Sequence, residues 1–138
     1  MNIHPASVLA LMVLAHLVAD YTLQGCLADL KQKKWWDDQL KGAPDATKRK
    51  YRNDYKAGLI CHSLYWSLIV CLPLVVFNSC AYAVMSLLQG GIHYLVDNAK
   101  ANHHSISLVT DQICHAIQIL SVWFTWYGCN LIIKGIAV

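Results

Sequence analysis

The chain has 138 residues, 57% hydrophobic and 14% charged, with a formal net charge of +3 and no glutamate. An average soluble domain carries roughly 25% charged residues, so an ordinary soluble composition is excluded. Nine of the eleven Lys/Arg residues fall between positions 31 and 56. That pattern marks a membrane protein with one basic loop rather than a nucleic-acid binder, and nucleic acid is not an expected partner.

Residues 5–23 form an apolar run just long enough to span a bilayer. No Lys or Arg precedes Lys31, so the run lacks the basic start of a signal peptide and is expected to be retained. His16 and Asp20 interrupt it and Gln24 comes next, all three at helical i, i+4 spacing. A polar insertion covers residues 29–56. Its start, 29–38, reads as a short helix. There Trp35 and Trp36 suit the membrane surface, with lysines facing anionic headgroups. A solvated connector whose tryptophans pack on the bundle fits the same residues. Residues 42–45 read as a turn, and 47–54 are basic and lead into the next helix.

The second apolar run, 57–77, carries His62 near its start and Pro73 near its end, where proline kinks or stops a helix. Apolar character continues too far for one span, so a tight break is predicted at 77–80. The third run, 81–99, contains Gln89, Gly90 and Gly91, and the two glycines predict a close helix approach. Beyond them, His93, Asp97 and Lys100 share one face. A polar loop, 100–107, holds His103 and His104. The fourth run, 108–133, carries Asp111, His115 and Gln118 on one face. Trp123, Trp126 and Tyr127 form an aromatic group near its far end. Six dispersed cysteines, without a CxxC pair, read as reduced packing residues.

The expected fold is all-α: an integral membrane four-helix bundle, one domain over residues 1–138, with a helical or loop insertion between the first two spans. The positive-inside rule places the insertion in the cytoplasm and both termini on the periplasmic side. At 1.5 Å per residue, His16, Asp20, His62, His93, Asp97, Asp111 and His115 then all lie ~3–11 Å from the cytoplasmic end of their spans. Imidazole and carboxylate at i, i+4 spacing suit a divalent Zn, Mn or Fe ion, and seven groups suffice for one or two ions. Some of the seven could instead orient ligands or move protons, with Asp20 or Asp111 as the base. Two other readings fit the layer: a buried polar network holding helices together, and an ion or proton path. The outer halves of the spans are nearly free of titratable groups, which favours a one-sided pocket over a path. His4, His103 and His104 read as terminal or loop residues, and Asp37, Asp38, Asp45 and Asp54 as a solvated face.

His16-Leu-Val-Ala-Asp-Tyr-Thr-Leu-Gln24, His62, His93-Tyr-Leu-Val-Asp-Asn-Ala-Lys100 and Asp111-Gln-Ile-Cys-His115 resemble the motifs of a family of small bacterial and phage integral membrane proteins of unknown function. More distantly, they are similar to membrane-bound proteins named as predicted metal-dependent hydrolases. The resemblance spans all four runs. It implies a bacterial inner membrane and adds Gln24, Lys100 and Gln112 to the site. The expected function is hydrolysis at a metal site near the cytoplasmic leaflet, on a membrane-associated substrate, a phosphorylated lipid or another, with Lys100 and the basic loop able to hold a phosphate. The alternative is a non-catalytic membrane protein acting by homo-oligomerisation or partner binding.

Overall fold

The computed structural model describes residues 4–22 and 24–136. Leu23, the last residue of the first predicted span, lies outside the described residues, as do Met1 and Val138, the termini assigned to the periplasmic side. Among the described residues all regular structure is helical.

The first helix, α1, covers Pro5–Leu17. Pro5 suits a first turn, where its missing N–H has no partner to lose, and His4 caps the helix by accepting from the Ala6 amide at 3.2 Å. The helix then widens into a π turn at Val18–Thr22. Across it Asp20 meets His62, His16 meets Trp66 and Gln112, and Gln24 donates back to the Asp20 carbonyl.

The insertion holds α2 (Leu27–Leu30), α3 (Lys33–Gln39) and α4 (Asp45–Tyr51). The single short helix expected over 29–38 is broken at Lys31 and Gln32. Trp36 donates to the Leu30 carbonyl at 3.0 Å and stacks on Tyr51, and Trp35 meets Trp36 edge-on. The two tryptophans thus tie the insertion together. The turn expected at 42–45 lies at 40–42, closed by the Ala43 amide donating to the Leu40 carbonyl at 3.0 Å, with Gly42 at a left-handed φ of 84°; Asp45 already opens α4. Lys34 donates to Asp38 at 2.6 Å, and that hydrogen bond holds the Asp38 carboxyl below its ordinary range. Both side chains are solvated, so the pair adds little stability.

Helix α5 covers Asp54–Val70. It starts three residues before the predicted run and stops earlier, because Pro73 has no amide to continue the ladder. The chain passes next through a 3-10 turn at Leu72–Val76. Asn78 then caps α6, Ser79–Ala101, by accepting from the Cys80 and Ala81 amides. The predicted break at 77–80 falls at this cap. The last helix, α7, covers Leu108–Ile136.

α5 packs along α6, α6 on α7, α7 on α1 and α1 on α5, which closes a ring of four long helices. α2 lies on α5 at Gly58, where an added Cβ would stand 2.6 Å from the Leu30 carbonyl oxygen. Gly90 faces Ser67 on α5, as predicted for a close approach. Gly91 meets nothing within 4 Å and plays no such part.

The apolar core, built around Met12, Trp66, Val70, Leu74, Val122 and Trp126, fills one end of the ring. Trp123, from the predicted aromatic group, donates to the Pro5 carbonyl at 2.9 Å and stacks on Tyr127. The other end is polar inside and apolar outside: His62, His93, Asp97, Asp111 and His115 are buried, while Leu87, Leu95 and Ile117 are more than 60% exposed. Of the four predicted spans, Pro5–Thr22 and Leu108–Gly135 are long and apolar enough to cross a membrane. α5 is shortened at Pro73, and the C-terminal third of α6 is polar. The cysteines are all free, but only Cys71 belongs to the core; Cys26, Cys61 and Cys80 are exposed.

Candidate metal centre

Four elements bring the His/Asp layer together: the π turn supplies Asp20, α5 supplies His62, α6 supplies His93 and Asp97, and α7 supplies Asp111 and His115. The i, i+4 spacing on α6 and on α7 sets each pair on one face. The donors form two groups that share Asp97: Asp20, His62, His93 and Asp97, and then Asp97, Asp111 and His115. Within each group the ligand atoms lie no more than 4.8 Å apart.

In the first group, His62 Nε2 lies 3.2 Å from Asp20 Oδ1, 3.2 Å from His93 Nε2 and 3.2 Å from Asp97 Oδ2. An imidazole nitrogen carries either one proton or one lone pair. It cannot satisfy two carboxylate oxygens and a second imidazole at once. In the second group, His115 Nδ1 lies 3.2 Å from Gln118 Oε1, a neighbour that only accepts at that atom. Nδ1 therefore carries a proton, and Nε2 faces Asp97 Oδ1 and Asp111 Oδ1, each 3.4 Å away; in the neutral ring its lone pair points between them. His115 Nε2 and Asp111 Oδ1 are both buried without a hydrogen-bond partner. Converging lone pairs on buried nitrogen and oxygen are the chemistry of a cation site. The donor set therefore fits a divalent ion, and the buried His/Asp groups could hold one.

His16, predicted as a ligand, belongs to neither group. Its Nδ1 accepts from Trp66 Nε1 at 2.9 Å, and its Nε2 donates to Gln112 Oε1 at 3.2 Å. Both ring nitrogens are thereby engaged. Gln112 in turn donates to Asp111 Oδ2 at 3.0 Å, so it orients a carboxylate, consistent with the place the resemblance gives it. Gln24 donates to the backbone carbonyl of Asp20.

Two lysines neutralise the carboxylates. Lys100 Nζ contacts Asp111 Oδ2 at 2.6 Å and Lys31 Nζ contacts Asp97 Oδ2 at 2.6 Å. The sequence groups Lys31 with the other insertion lysines, facing phosphates; in the structure it turns inward instead. Asn102 fixes this arrangement by donating to the Lys31 carbonyl and accepting from the Lys33 amide. Trp66 and Gln118, which the sequence does not mark as site residues, complete the surroundings. Trp66 stacks on His93 with ring centroids 4.3 Å apart while it holds His16. Gln118 fixes His115 and donates to Gln89, which donates to Ser121. Both carry a usable signal, since each stands three or four positions after a site histidine on the same helix face. Nothing in the local sequence distinguishes Lys31 from its basic neighbours.

No curated protein and no solved structure matches this chain. A family described as protein of unknown function (DUF3307) matches residues 8–134, a stretch that contains every residue of both ligand groups. The chain therefore belongs to the DUF3307 family.

Proposed function

We propose that this protein is a membrane-embedded, metal-dependent hydrolase whose active centre is the paired His/Asp site. The convergence on His62 Nε2 carries the reading. Asp20, His62, His93 and Asp97 would hold one ion. Asp97, with its second oxygen turned to His115, would share a second ion with Asp111 and His115. Zn, Mn and Fe all suit this nitrogen and oxygen set. Such ions supply Lewis acidity and activate water for hydrolysis. Around them, Gln118 and Gln112 keep His115 and Asp111 in register, and Lys31 and Lys100 balance charge.

The membrane setting is supported by the exposed leucines and isoleucines around a polar interior, an arrangement costly in water and favourable in lipid. All four long helices would cross the bilayer, α5 with the 3-10 turn that prolongs it. The insertion would lie on the cytoplasmic side of a bacterial inner membrane, bringing the centre near that leaflet and its anionic headgroups. The core beyond Gln118 is packed with Val, Met, Leu and Trp side chains, which favours a one-sided centre over a proton or ion path.

A non-catalytic role has its own support. The chain of hydrogen bonds from His115 through Gln118 and Gln89 to Ser121, with the two lysine–aspartate pairs, would also hold helices together. Turnover separates the two readings. Purified protein in detergent, supplied with Mn or Zn, should hydrolyse at least one member of a panel of phosphoester, lipid ester and peptide substrates, and His62→Ala should lose that activity. Wild-type protein that binds metal but turns over none of them would favour the structural role.

A further inference from the structure

We infer that the polar cavity at the mouth of the His/Asp centre is a phosphoryl-binding subsite walled by Lys31 and Lys100. The inference rests on the metal reading above and names the substrate class of the same centre. The cavity measures about 340 Å³, and Gln24, Lys31, Gln32, Asp97, Lys100 and His104 line it. It joins the centre directly, because Asp97 belongs both to its wall and to each ligand group.

The first support is where the lysines point. A lysine in a basic loop or at the end of an apolar helix ordinarily extends its ammonium group into solvent. Lys31 instead is only 9% exposed, and Lys100 is half-buried. They approach from different elements, one after α2 and one near the end of α6, so their ammonium groups enter the cavity as two separate cations. Gln24 Oε1 is also buried without a hydrogen-bond partner. It is an acceptor for a protonated phosphate oxygen or for a water bound to one.

Charge gives the second support. Asp20, Asp97 and Asp111 carry three negative charges against two on Lys31 and Lys100. The site alone is thus left with one net negative charge. One divalent ion reverses this to one positive charge, and two ions make it three. Buried positive charge without a counter-ion is strongly unfavourable. A bound phosphoryl group offsets it: a monoanion cancels the single positive charge left by one ion, and a dianion reduces the three left by two ions to one. A phosphoryl group also has enough oxygens to meet both lysines and the centre together, which a carboxylate with two oxygens does not. A cation on Asp97 and Asp111 would compete with the ammonium groups for the same oxygens, leaving lysine donors for the anion.

Phosphate on a lipid headgroup and phosphate on a soluble compound share this chemistry, and the test separates them. Full-length protein is purified in detergent and loaded with Mn. Its metal content is measured by elemental analysis, and binding of inorganic phosphate by calorimetry. Wild-type protein should bind phosphate. Lys100→Gln and Lys31→Gln should each weaken binding about tenfold or more, the scale of a charge-assisted hydrogen bond, while retaining metal. Lys34→Gln, a change on the exposed face of α3, should leave phosphate affinity unchanged. Lys31→Gln strands a buried Asp97 and could unfold the chain. Lys100→Gln, together with a fall in wild-type phosphate affinity as salt rises, carries the test in that event.

In nanodiscs, phosphatidic acid that blocks inorganic phosphate, where phosphatidylcholine does not, would assign the group to a lipid. Failure to block would assign it to a soluble phosphate, with the subsite standing either way. Metal-loaded wild-type protein that ignores phosphate, or lysine variants that bind it as wild type does, would overturn the inference alone. Wild-type protein that takes up no metal would overturn the reading beneath it as well.

Discussion

Both ring nitrogens of His16 are engaged, by Trp66 and by Gln112, whereas His62 Nε2 faces three ligand-type atoms. The difference makes a sharp comparison. His16→Ala should leave metal content unchanged, whereas His62→Ala or His93→Ala should reduce it; elemental analysis of the three purified variants decides. Metal loss in His16→Ala equal to that in His62→Ala would place His16 among the ligands. Trp66→Phe keeps the stacking on His93 but removes the donor to His16 Nδ1. Leaving that buried acceptor unpaired should cost about 1–3 kcal/mol in stability, read from denaturant unfolding in detergent. At this scale the sequence is informative about residue type and helical spacing: six of the seven predicted ligands converge. Spacing along α1 does not reveal that both ring nitrogens of His16 are taken by Trp66 and Gln112.

At the scale of elements, the insertion reaches the centre through Lys31 on Asp97, and Gly58 against Leu30 and Asn102 around Lys31 hold it there. Gly58→Ala would push its methyl group into the Leu30 backbone, so α2 must move and carry Lys31 away from Asp97. A loss of about 1–3 kcal/mol is expected, as for other overpacked contacts. Limited proteolysis within residues 40–46 should accelerate in that variant. Unchanged stability and cleavage would mean that α2 docks loosely. Helix positions are legible because Pro73, Asn78 and the apolar runs act locally. The insertion is not, because its fold depends on contacts between distant residues: Trp36 with Tyr51, and Lys31 with Asp97. A string of lysines reads as one solvated face until one of them is seen to have a buried aspartate as partner.

For the whole molecule, Pro5–Thr22 and Leu108–Gly135 are long and apolar enough to cross a membrane, and the proposed function sets all four long helices in a bilayer with the centre on the side of the insertion. A reporter fused after Val138 should read as periplasmic and one placed within residues 42–45 as cytoplasmic; the opposite pair would turn the centre to the other face of the membrane. Depth along the spans is enough to place the His/Asp groups in one layer. Which of them share an ion, and that Asp97 joins two groups, depends on the packing of α5, α6 and α7. The central claim, that this layer is a metal centre, is tested most directly by the metal content of the purified full-length protein. Wild type should contain one or two equivalents of a transition metal per chain, and Asp97→Ala, which removes the residue common to both groups, should lose most of it. Equal and negligible metal in the two proteins would contradict the account.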